Sequence, residues 1–360
     1  MKKDNEGNKM EDKKSAQERF LDGFLGGVGD WDNHLAEAID EDEDPYLKNQ
    51  MLKILKEQEE FGDAINLGLG RETWYSNDFF INSLILDFIT AAENDTDAED
   101  DLVNELKLIW VGVLGKLGVD AEAINMDKDF EGYLITMHFG MDLGVQFISK
   151  LVAYHVYGRQ IRDLRERAQL LPEMAKLLLF LVDKEALMKE ATEFAQAEVD
   201  QQVDRTSPRV HIASYLFEAG MKFVLGHEIG HHFLKHTETN GRNIVSKFIP
   251  TDVTFDQMHL DEFAADNFGF DLLIKGMKER NDNKLLAPLM VILMLALYDK
   301  TPEEPSQYHP SLRNRYLNLL SKVSDHNEEI AANLQQIFDE VATWINRTFY
   351  DGYWKTEWWK

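Results

Sequence analysis

His227, Glu228 and His231 stand in the order His-Glu-Ile-Gly-His inside the stretch Val224 to Phe233. On a helix, residues four apart share one face, about 6 Å apart along the axis at ~1.5 Å per residue, so both imidazoles reach a single ion. Glu228 is turned by about 100° from His227, beside that ion and outside its first two ligands. A carboxylate in that place takes a proton from ion-bound water. The chain contains no cysteine, so a thiolate site and a thiol nucleophile are excluded and any metal site is built from His and carboxylate.

A catalytic zinc ion takes three protein ligands and keeps a fourth position open, so a third ligand must come from another element. Asp261-Glu262-Phe263-Ala264-Ala265-Asp266 reads as a second helix with Glu262 and Asp266 on one face. The two alanines are small enough to let it approach the first helix closely. Further on, Tyr308-His309-Pro310-Ser311-Leu312-Arg313-Asn314-Arg315 brings a histidine and an arginine into the same half of the chain.

His227-Glu228-x-x-His231 followed by Glu262-x-x-x-Asp266 resembles the gluzincin class of zinc metallopeptidases. The form Glu-Phe-Ala-Ala-Asp, with 30 residues between His231 and Glu262, is similar to the Ste24/HtpX group more than to thermolysin. His309-Pro-x-x-x-x-Arg315 resembles a downstream element of the same group. The resemblance spans roughly residues 209 to 320 and implies His227, His231 and Glu262 as Zn²⁺ ligands and Glu228 as general base. It implies that Asp266 orients a ligand histidine, and that His309 or Arg315 lies near the substrate carbonyl to stabilise the oxyanion. Ste24/HtpX enzymes are integral membrane proteins, whereas the longest apolar run here, Leu285 to Tyr298, has 14 residues and carries Pro288. It is too short to span a bilayer and reads as a core helix. That departure points toward soluble relatives such as the Lit-type phage-exclusion peptidases. The expected function is zinc-dependent hydrolysis of a peptide or protein substrate. The alternative is a non-catalytic helical scaffold, or a metal- or peptide-binding regulator derived from such an enzyme.

The elements that must position these residues are mainly helical, a zincin-like core with at most a few short strands. Residues 1–30 are expected to be flexible, 31–204 to form a helical region of unknown role, and 205–360 to form the metallopeptidase core. Apolar residues recur at helical spacing over Asp78 to Ala92 and Leu102 to Leu117. Tyr133 to Tyr157 reads as one amphipathic helix with His138, Asp142, Gln146 and Lys150 along a polar stripe. Arg159 to Lys189 continues in helix, broken at Pro172, and Asn243 to Phe255 offers one or two short strands around Pro250. His232 and His236 form an i,i+4 pair with no acid placed as Glu228 is, and are expected at the surface or the cleft edge. His259 lies where it could orient Glu262, although a structural role weighs more. The aromatic C-terminus, Phe349 to Lys360, is expected to pack back on its own domain.

A formal net charge of −27 repels phosphate backbones and anionic lipid, which argues against nucleic-acid and membrane partners and favours a basic peptide or protein segment. The first ten residues hold no apolar signal core, so a cytoplasmic location is expected.

Overall fold

The computed structural model describes residues 13–24, 75–94, 100–183, 207–238, 257–275 and 282–360. Helices dominate, with a few short strands. The strand expectation over 243–255 and the end of the expected helical stretch, 184–189, lie outside the described residues.

At the centre lies the helix Pro208–Phe233, which carries His227 and His231. Pro208 opens it, a position where the missing N–H costs nothing. From Ala219 to Gly230 every residue of this helix is buried, because neighbours cover it on all sides. The helix Gln257–Lys275 is its most extensive partner. Their axes come together where side chains are absent. A Cβ built on Gly269 would lie 2.7 Å from the backbone nitrogen of His227, and one on Gly230 would lie 3.2 Å from Cα of Ala265. Ala265 fits the expectation from the alanine pair, and the glycines complete a seam that brings Glu262 beside both histidines.

Leu286–Tyr298 is a buried helix of 13 residues, apolar on every face, with Pro288 tolerated in its first turn. It packs on the motif helix, on Phe139–Gln160 and on Leu312–His326. Among the described residues no helix is long and apolar enough to cross a membrane. Ser311 and Asn327 cap the helices Leu312–His326 and Glu328–Thr348 by accepting backbone N–H bonds. The C-terminal aromatics fold back as expected: Trp354, Trp358 and Trp359 are buried, and Trp354 Nε1 donates to the carbonyl of Ala296 at 2.8 Å.

A three-stranded sheet forms the other wall. Ile109–Leu114 runs parallel to Tyr133–His138, and Ala121–Ala123 pairs antiparallel with the far side of Tyr133–His138, leaving Ala121–Ala123 as an edge. This corrects two helical expectations. The helix begun at Asp100 stops at Leu106, and the helix Phe139–Gln160 starts only after His138. Both strands are buried on both faces, so they read as continuous apolar runs in which a period of two is invisible. One face packs Trp110, Leu114 and Leu134 on Phe20, and the other joins the main core through Val111 and Ile135. Phe20 belongs to the helix Ala16–Phe24, so part of the stretch expected to be flexible is docked. The main core also runs without a break across residue 205, from Phe88 and Ile148 to Phe223 and Ile292.

Candidate metal centre

Three side chains converge in one cleft of about 710 Å³. His227 Nε2 and His231 Nε2 are 3.1 Å apart, His231 Nε2 is 3.3 Å from Glu262 Oε1, and His227 Nε2 is 3.6 Å from Glu262 Oε2. A tetrahedral ion with bonds of ~2.0–2.1 Å spaces its ligands roughly 3.3–3.4 Å apart, and each of these three separations lies within about 0.3 Å of that spacing, with a different Glu262 oxygen facing each histidine. Glu262 Oε2 is buried without a hydrogen-bond partner, although it faces ring nitrogens and a guanidinium. Lone pairs aimed at one another across a buried point are what a divalent cation satisfies. Among the described residues this is the only His and carboxylate group so arranged.

Support beneath the triangle is layered. Asp266 is fully buried, and Oδ1 lies 3.0 Å from His227 Nδ1. The contact has hydrogen-bond length but falls short of linear geometry. Arg315 Nε and Nη2 donate to the two oxygens of Asp266 at 2.8 and 2.7 Å, a bidentate fork. Its Nη1 is 3.4 Å from Glu262 Oε2. Burial raises the pKa of both carboxyls, but the opposing contacts win and both titrate below their ordinary values. For Glu262 these are His231, His309, His227 and Arg315; for Asp266 they are Arg315 and His227.

The two residues expected near the carbonyl therefore separate. Arg315 is buried under the ligand carboxylate, whereas the ring of His309 is 59% exposed at the cleft mouth with Nδ1 3.2 Å from Glu262 Oε2. A turn holds that ring in place, in which Ser306 Oγ accepts the His309 N–H at 2.8 Å. His259 Nε2 donates to the carbonyl of Ser306 at 3.0 Å, so it ties the second helix to the loop bearing His309.

Glu228 faces the cleft from the motif helix and accepts the Ala123 N–H on Oε2 at 2.8 Å. Burial raises its pKa, and this outweighs the pull of His227, His231 and the Ala123 N–H. The donor sits on the edge strand, which no spacing rule on the motif helix would have found.

His236 was expected at the surface or the cleft edge. It lines the cleft but with its side chain only 4% exposed, Nδ1 3.0 Å from His231 Nδ1 and Nε2 3.6 Å from Asp261 Oδ1. The helix ends at Phe233, and Lys235 at φ 66° reverses the chain, so the His236 N–H reaches the carbonyl of His231 at 2.8 Å. Lys235 holds this left-handed turn by donating to Tyr133 Oη at 2.8 Å. Burial, with the charge of His231, pushes the His236 pKa down to about 4. A neutral ring with its proton on Nε2 turns an acceptor to the Nδ1–H of His231. The helical i,i+4 partnership with His232 is lost at the helix end. His232 is also buried, with Nε2 donating to the carbonyl of Leu134 at 3.0 Å, and it pins the motif helix to the sheet.

The polar stripe does not converge. His138 ends a strand, Asp142 and Gln146 line a separate small cavity with Asp78, and Lys150 lies over the ring of Phe147.

No curated protein and no solved structure matches the chain. Residues 159–335, just under half of the chain and the stretch that carries His227, His231, Glu262 and Arg315, match the family model described as Peptidase U49.

Proposed function

We propose that the chain is a zinc-dependent peptidase that hydrolyses peptide bonds in the cleft between the motif helix and the edge strand. The observation that carries this reading is the convergence of His227 Nε2, His231 Nε2 and a Glu262 oxygen beside the buried carboxylate of Glu228. The Peptidase U49 match over the same residues supports a peptidase. The all-nitrogen and oxygen donor set with three protein ligands suits zinc.

His227, His231 and Glu262 would hold the ion, which when bound supplies a Lewis acid that polarises the scissile carbonyl and activates water. Asp266 and Arg315 fix the ring of His227 from behind, and His236 does the same for His231. Glu228, anchored through one oxygen by Ala123, takes the proton of the attacking water and hands it to the leaving amine. His309, exposed at the mouth, donates to the carbonyl oxygen as charge develops there. Arg315 acts through Asp266 and Glu262 and does not itself reach the substrate. Ala121–Ala123 is a sheet edge whose Ala123 N–H is held by Glu228, and its remaining outward backbone groups are offered to an extended peptide.

Two measurements test this. The purified protein should carry close to one zinc per chain by elemental analysis, and chelation should lower its melting temperature. Glu228→Gln should keep the metal and lose turnover by at least about 10²–10⁴-fold. Full proteolysis by that variant on a verified substrate would overturn the mechanism.

A further inference from the structure

Among the described residues, the exposed fixed charges at the rim of the cleft are all negative. On the strand side stand Asp120 and Glu122, both exposed, and on the opposite loop stand Asp299 and Glu304. No lysine among the described residues lines the cleft. The one arginine lining it among those residues, Arg315, is buried and committed to Asp266 and Glu262. Glu122 and Glu304 have no side-chain partner among the described residues, and Asp120 reaches only His138, at 4.0 Å. Asp299 is partly satisfied by the Thr301 N–H at 2.8 Å. Between the rims the floor is apolar, with Phe223, Val224, Val291 and Leu295. His227, His231 and Glu262 line the same cleft beside these apolar residues, with Glu262 Oε2 in ionic contact with His309 and Arg315. An extended chain laid along Ala121–Ala123 would therefore place an apolar side chain on the floor and its neighbours between carboxylates on both sides.

We propose that this cleft selects an extended peptide segment carrying Lys or Arg on both sides of the residue held at the metal centre. The proposal rests on the peptidase reading for where the peptide lies, but not for its test, since binding is measured without cleavage. Carboxylates lining one groove repel one another, and a cationic side chain among them relieves that repulsion while an acidic one adds to it. The acidic character of the chain as a whole would attract any cation, so the test must separate rim charge from net charge.

The test uses the full-length, zinc-loaded Glu228→Gln protein and labelled peptides Lys-Lys-Ala-Leu-Ala-Lys-Lys and Glu-Glu-Ala-Leu-Ala-Glu-Glu, followed by fluorescence anisotropy. Each exposed charge pair contributes a factor of about two to five, so the Lys peptide should bind at least about tenfold tighter than the Glu peptide. Adding Glu122→Gln and Glu304→Gln should reduce that preference several-fold. The control pair Asp325→Asn and Asp351→Asn, exposed outside the cleft, changes net charge equally and should leave it nearly unchanged. Equal binding of the two peptides, or an equal loss in the control pair, overturns the proposal. If the wild type binds the Lys peptide selectively yet cuts neither peptide nor any protein, the peptidase reading falls and the charge selection stands.

Discussion

The two histidines facing the metal position are supported in different ways. Behind His227 lies a fully buried carboxylate held by a two-pronged arginine, and the same arginine reaches the third ligand. Behind His231 lies a neutral ring, and behind that a carboxylate at 3.6 Å, too long for a direct hydrogen bond. The first support is charged and joins three helices; the second is uncharged and depends on a turn. A charged support removed from one side leaves an uncompensated ion in the core, whereas a neutral one removed leaves an unsatisfied ring N–H, a smaller penalty. The first should therefore govern folding and the second should govern metal retention.

Breaking the charged support should have the largest effect. Arg315→Met leaves Asp266 and Glu262 buried without their cation and should cost about 3–5 kcal/mol in chemical denaturation of the metal-free protein. A loss under 1 kcal/mol would show that Asp266 is not held as described. Gly269→Ala comes next, since its methyl would press on the backbone of His227. A destabilisation of roughly 1–3 kcal/mol is expected, with weaker zinc binding as Glu262 is pushed from the histidines. His236→Ala should reverse the balance. Denaturation should move little, while zinc affinity by chelator competition falls about 10–100-fold. Unchanged affinity would remove His236 from the support. Asp261→Asn should be smallest, on the order of a few-fold in the same assay, because its contact is long and partly exposed. If Asp261→Asn equals His236→Ala, the two supports are alike after all.

Much of this centre could be read from the chain. Residues four apart on one helix must share a face, so the pairing of His227 with His231 and of Glu262 with Asp266 follows from helix geometry alone. Small residues at Ala264 and Ala265 foretold the close approach of the second helix, and the buried helix Leu286–Tyr298 and the returning C-terminal tryptophans followed from their apolar composition. The sheet was not legible in the same way. Ile109–Leu114 and Tyr133–His138 are buried on both faces, and a run apolar on both faces shows neither period. Ala121–Ala123 is a short strand with no strong signal of its own, yet it supplies the N–H that holds Glu228.

Which residues share a face was settled within local helical repeats, and that the sequence by itself determined: two imidazoles on one face, a carboxylate pair on another, and no sulfur donor. Which groups stand behind them was decided only by tertiary structure. Arg315 lies 49 residues from Asp266, and Glu228 lies 105 residues from Ala123. His236 is near its partner in sequence but reaches it through a left-handed turn. Spacing encodes contacts only while the backbone repeats. Once the helix ends or the partner belongs to another element, the contact depends on how whole surfaces pack, and no short pattern of residues carries that information.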